Sequence, residues 1–131
     1  MKGHRDLVVW QKAMKLVTEI YRVTRGFPRD EQYGLTSQLP RAAISVPSNL
    51  AEGHGRNSRK EFHHFVGQAR GSLTELETQL EIARNLGYLQ EHEASALLSQ
   101  SAEIGRMLNG LRAWSKSAVT SADSRLLTTD Y

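Results

Sequence analysis

Apolar residues return every three or four positions along most of this chain, the spacing of a helix rather than the alternation of a strand. Leu7, Trp10, Met14, Val17, Tyr21 and Thr24 make one such row in the first segment. Gly26-Phe27-Pro28 ends it, because proline lacks the donor that would continue the ladder and glycine suits a C-terminal cap. Asp30 is the expected cap of a second helix that reaches about Glu52, with Leu35, Leu39, Ala42, Val46 and Leu50 facing inward. Pro40 and Pro47 fall together on the side away from that row, and each should bend the helix. A break into two shorter helices is the competing reading.

Gly53 and Gly55 close the second helix, and Ser58-Arg59-Lys60-Glu61 has the spacing of a capping box. The third helix then carries Phe62, Phe65/Val66, Ala69, Leu73, Leu76, Leu80 and Ala83 before Gly87 stops it. The fourth, about Glu91–Ser117, carries Leu97, Ile104, Leu108, Leu111 and Trp114. Short connections between four helices predict an all-α, antiparallel up-down-up-down four-helix bundle over residues 1–117, its second helix bent at the prolines. Small and polar residues dominate from Ala118, which predicts a flexible C-terminal tail over 118–131.

The first helix has a second apolar row: Val9, Ala13, Leu16, Ile20 and Val23. The two rows together span roughly 200° of its circumference, whereas one buried face needs a stripe of about 100° or somewhat more. Another copy of the chain is the simplest cover for the excess, so these five residues are the expected oligomer interface. The alternative is a helix buried centrally in its own monomer. Asn49 falls near the inward face of the second helix, where it either sets helix register, reaches across a subunit boundary or bonds a nearby backbone carbonyl.

Composition adds limits. The 131 residues are 39% hydrophobic and 24% charged, ordinary for a globular chain. With no cysteine, disulfides and thiolate metal sites are excluded, and a reducing, cytoplasmic setting is expected. The N-terminal apolar run is too short for a signal peptide, and no stretch reaches the ~20 apolar residues of a membrane helix. Net charge is +3 but uneven: residues 1–60 hold 11 Lys/Arg against 5 Asp/Glu, and residues 61–131 hold 6 against 9. Such asymmetry permits an acidic partner.

Reaction chemistry finds little footing. Glu52-Gly53-His54-Gly55-Arg56-Asn57-Ser58 lacks the Gly-Lys-Ser/Thr ending of a phosphate loop and follows no strand. His63 and His64 diverge by ~100° on a helix, a poor start for a metal site. The serines lie outside any nucleophile-elbow pattern. Glu77 and Glu81 read as an acidic solvated face. No cofactor, metal or catalytic role is expected.

Charge is more informative. In an up-down bundle one end would gather Lys2, Arg5, Arg56, Arg59, Lys60, Arg112 and Lys116, with His4, His54, His63 and His64 nearby. Arg112 and Lys116 suit the C-terminus of a helix, but Arg59 and Lys60 sit in a first turn, where the dipole disfavours cations. Solvation accounts for any single charge; the sharper expectation is a basic end that holds RNA or DNA phosphates without reading bases.

The strings VWQKAMKLVTEIY, FPRDEQYGLTSQ, RAAISVPSNLAEG, RKEFHHF, GSLTELETQLEIARNLGYL and EIGRML, in that order over 7–111, resemble the four-helix-bundle family named after 23S rRNA intervening sequences. The resemblance implies a ring-like homopentamer. It also implies kinship with accessory proteins of diversity-generating retroelements, which bind a reverse transcriptase and nucleic acid. It brings no enzymatic activity. Where the family usually has a basic residue before Arg-Ala-Ala, this chain has Pro40, so no charge-based role carries over there. The expected function is a non-catalytic oligomeric scaffold or accessory factor that engages nucleic acid or a nucleic-acid enzyme, the alternative being a pure protein-interaction module.

Overall fold

In the computed structural model, which describes residues 3–121, four helices pack around one core: α1 (Val8–Thr24), α2 (Leu35–His54), α3 (Arg59–Asn85) and α4 (Glu91–Ser121). Short 3-10 turns, His4–Asp6 and Arg29–Glu31, precede α1 and α2. No strand occurs among the described residues. Packed pairs are α1 with α2, α2 with α3, α3 with α4, and α4 with α1. Cross-helix bonds set the direction of two of these. Ser72 bonds Ser45 at 2.8 Å and Gln79 reaches Gln38 at 3.4 Å, so α2 and α3 run antiparallel. His63 with Ser115 and Ser101 with Glu77, each at 2.8 Å, do the same for α3 and α4.

The ends of α3 follow local chemistry. The Ser58 hydroxyl accepts from Glu61 N at 3.1 Å, satisfying one of the orphan donors of the first turn. At the other end Gly87 takes φ +79°, Tyr88 N donates to Ala83 O at 2.9 Å and Gly87 N to Arg84 O at 3.0 Å, closing the last carbonyls. The start of α2 differs from expectation. Asp30 lies in the preceding turn, and it is the Glu31 carboxylate that accepts from Leu35 N at 3.1 Å.

Pro40 and Pro47 both lie inside a single helix, and both are buried rather than turned away from the apolar side. The reason is that α2 has two covered flanks: Leu39, Val46 and Leu50 enter the core, and Pro47 meets the α1 seam. At the α2–α3 crossing a Cβ on Gly53 would come within 2.7 Å of Phe65 Cβ, so only glycine permits that approach. The boundary expected at Ser117 falls inside α4, which continues to Ser121; the tail expected from there on lies, over 122–131, outside the described residues.

The largest correction concerns α1. Val9, Ala13, Leu16, Ile20 and Val23, expected to face another copy, are all buried within this chain, Val9 and Ile20 completely. They join Leu39, Leu50, Phe62, Leu73, Leu80 and Leu108 in the core. Of the row read as the core face, Leu7 and Thr24 are buried, Trp10 and Val17 are half-buried, and Met14 and Tyr21 are 42% and 46% exposed. An outward-facing Tyr keeps its hydroxyl in water, and Trp is seldom fully covered, so the aliphatic row wins the interior.

Ile20→Ala should therefore cost ~2–5 kcal/mol of unfolding free energy, read as a lower denaturant midpoint. Met14→Ala, on the exposed row, should stay within about 1 kcal/mol of wild type.

Candidate nucleic-acid interface

The connection between α2 and α3 stands at the same end of the molecule as the last turns of α4, because His63 and Ser115 meet there. Two arginines of this end lie over aromatic rings. The Arg56 guanidinium carbon is 5.2 Å from the Phe65 ring centre, and that of Arg59 is 3.9 Å from the Trp114 ring centre. Phe62 meets Trp114 edge-on beneath. Planar guanidinium groups stack in this way without losing their charge.

The residues expected to form one basic end differ in their surroundings, Arg59 being half-buried against Trp114. Lys60, Arg112 and Lys116 are exposed, and among the described residues no carboxylate forms an ion pair with them. Arg56 is exposed but bridges to Glu52 at 3.1 Å, which offsets its charge. Arg5 belongs to the opening 3-10 turn, which packs on α1 and α2 and not on α3 or α4. Lys2 lies outside the described residues.

Further up the α3–α4 seam lies a cation that the sequence reading did not include. Arg70 Nε donates to Asn109 Oδ1 at 2.6 Å, a neutral acceptor that orients the guanidinium and leaves its charge uncompensated. Arg112 comes next, its Nε 4.0 Å from where a Cβ on Gly67 would stand. The signal was present as spacing: positions 63, 67 and 70 line one flank of α3, while 109, 112 and 116 line one flank of α4. Recognising it required knowing how the two helices are matched.

The histidines do not converge. His63 Nδ1 lies 2.8 Å from Ser115 Oγ, whose hydroxyl donates to Arg112 O at 3.2 Å. Ser115 is wholly buried, so the pair works as a helix–helix tie. His64 is exposed and meets Phe65 edge-on. His4 packs against Trp10 on the α1 side. Asn49 donates to Ser45 O at 2.8 Å and Ser45 Oγ at 3.0 Å, a local contact within α2. Among the described residues no group of three His, Asp or Glu is placed to hold a metal ion.

Among the described residues, apolar side chains of α1 and α2 also share a face. Trp10, Met14 and Val17 of α1 and Ile44, Pro47 and Ala51 of α2 line a shallow groove of about 350 Å³. Among the described residues no helix is long and apolar enough to cross a membrane.

These features define an all-α helical bundle with a basic end and a separate apolar groove. Residues 5–110 match the 23S rRNA-intervening sequence proteins, and the chain belongs to that family. A crystal structure of a protein of unknown function, from the S23 ribosomal protein family of Bacteroides thetaiotaomicron, has the same fold. Its TM-score is 0.73 at 23% identity, over 80% of this chain and 98% of that one. No curated protein matches.

His54 closes α2 at this end and is buried. Burial first, and the His4 charge second, push its imidazole below the usual value near 6.5. The unfolded chain then binds the proton more readily than the folded one. The neutral-form contribution is complete above pH 6.5 and is lost as pH falls through the lowered folded value. Thermal unfolding between pH 7.5 and 5 should show a falling midpoint, and His54→Gln should flatten that slope.

Proposed function

We propose that this chain is a non-catalytic, self-associating up-down-up-down bundle, bent in α2 at Pro40 and Pro47, that serves as a scaffold or accessory factor in the cytoplasm. Its basic end engages nucleic acid, or an enzyme that works on nucleic acid. The observation that carries this reading is the exposed group Lys60, Arg112 and Lys116, which no carboxylate offsets among the described residues. Lys60 stands in the first turn of α3, where the helix dipole opposes a cation, so fold stability does not account for it. Polyanion binding does, since each phosphate neutralised releases condensed counterions.

Self-association is the second component. Apolar surface at Met14, Tyr21 and Ile44, the last 39% exposed, is what a second copy would cover. A homopentameric ring is the assembly that the family resemblance implies. It would repeat the basic end in each subunit, so weak contacts would add through avidity. The same apolar groove supports the alternative, a protein-interaction module that makes no nucleic-acid contact.

Binding to a fluorescent nucleic acid should fall steeply with salt. Three phosphate contacts predict roughly a 40-fold loss between 50 and 200 mM. Lys60→Ala with Lys116→Ala should flatten that dependence; equal curves for variant and wild type would leave only the protein-interaction reading. For assembly, Met14→Glu with Ile44→Glu should reduce the mass measured by ultracentrifugation while helix content is kept. A wild type sedimenting at 14.7 kDa would remove self-association.

A further inference from the structure

Arg70, Arg112 and Lys116 form a line rather than a ring around the bundle end. The Arg70–Asn109 bond fixes the top of the line, and Arg112 and Lys116 follow on α4 at steps of about one helical turn, ~5.4 Å. From the level of Arg70 to that of Lys60 the seam extends ~15 Å at 1.5 Å per residue. Toward the opposite end the line of free cations gives way to other pairings: Glu77 accepts from Ser101 at 2.8 Å, and Arg84 is paired with Glu81 at 2.8 Å. The cationic stretch therefore has a defined length and a defined upper boundary.

Two features of its surface bear on what fits. Gly67 and Gly71 lie within α3, where each costs ~1 kcal/mol relative to alanine. A Cβ on Gly71 would meet nothing within 4 Å, and one on Gly67 only Arg112 Nε at 4.0 Å. Internal packing does not ask for either glycine; together they leave the face beside Arg70 and Arg112 bare. Along the seam itself the aromatic rings are engaged already, Trp114 by Arg59 and Phe62 and His63 by Ser115; beside it Phe65 lies against Arg56, and the exposed His64 meets Phe65 edge-on.

Single strands are held largely by bases stacked on open aromatic rings, at ~1–3 kcal/mol each. This seam offers cations on a smooth rigid surface in place of open rings. A double helix, with a charge every ~1.7 Å of its axis and its bases enclosed, asks for nothing more. We propose that the α3–α4 face binds the phosphate backbone of double-helical nucleic acid through Arg70, Arg112 and Lys116. This rests on the reading of the basic end given above and adds the substrate class, the face and Arg70.

The test uses the full chain and anisotropy titrations of 20-base-pair DNA and RNA duplexes and of the matching single strands, from 50 to 200 mM salt. Both duplexes should bind more tightly than the strands, and the tighter of the two names the natural class. Arg70→Ala with Arg112→Ala should weaken duplex binding roughly tenfold at 100 mM and lower the slope of log K against log salt by about 2. Arg70→Lys with Arg112→Lys should keep the slope. If the alanine pair loses helix content by circular dichroism, Arg70→Gln with Arg112→Gln carries the same expectation. Strands bound as tightly as duplexes would overturn this inference while leaving the basic-end reading intact. So would a neutral pair that binds like wild type while Lys60→Ala with Lys116→Ala does not. Failure to bind any of the four nucleic acids would overturn both.

Discussion

Everything on the surface of this bundle depends on which apolar row of α1 turns inward. Val9, Ala13, Leu16, Ile20 and Val23 fill the interior. Had the helix been rotated by about one residue, ~100°, Trp10, Met14 and Tyr21 would have entered instead, and the aliphatic row would have been left facing solvent. The observed choice buries compact side chains that pack without polar atoms. It leaves outside those that carry an indole, a thioether or a phenol. A groove whose rim includes amphipathic groups tolerates water in the free state better than a purely aliphatic stripe, which is the character expected of a reversible contact rather than a permanent core.

The second organising fact is the antiparallel match of α3 and α4. It sets residue 63 beside 115 and residue 70 beside 109. Arg70 of α3 and Arg112 and Lys116 of α4, far apart in the chain, thereby share one half of a seam. Arg56, although close in sequence to Lys60, is offset by Glu52 from the preceding helix. Position in the sequence was thus a weaker guide to free charge than position in the fold. Neutral partners such as Asn109 orient a guanidinium without lowering its charge, whereas a carboxylate does both.

Much of the framework was legible from residue types alone. The Ser58 cap, the Gly87 stop and the inward rows of α3 and α4 are local rules that tertiary packing did not override. Other features were not. The two rows of α1 have identical spacing, so periodicity cannot rank them; side-chain chemistry could have done so, by placing Trp and Tyr at the rim. The prolines of α2 lie off its one apolar row, yet a bundle helix has neighbours on two flanks, and both prolines are buried. Finally, Arg70 sits between glycines on a helix whose basic and acidic residues balance, and only the facing residues of α4 give it company.

The geometry also bears on how assembly and binding could coexist. With α1 packed on α2 and α4, and α3 packed on the same two helices, the α1–α2 and α3–α4 seams lie on opposite sides of the bundle. Copies joined through the apolar groove would leave every α3–α4 face uncovered, so neither activity need compete with the other. Within one chain a short line of cations would give modest, salt-sensitive affinity for a polyanion. Repeated on several subunits at fixed separations, it would favour long, stiff polyanions that touch more than one face at once, because the second contact comes at high effective concentration. A flexible strand would spend part of that gain on ordering, and a duplex already straight over tens of ångströms would not.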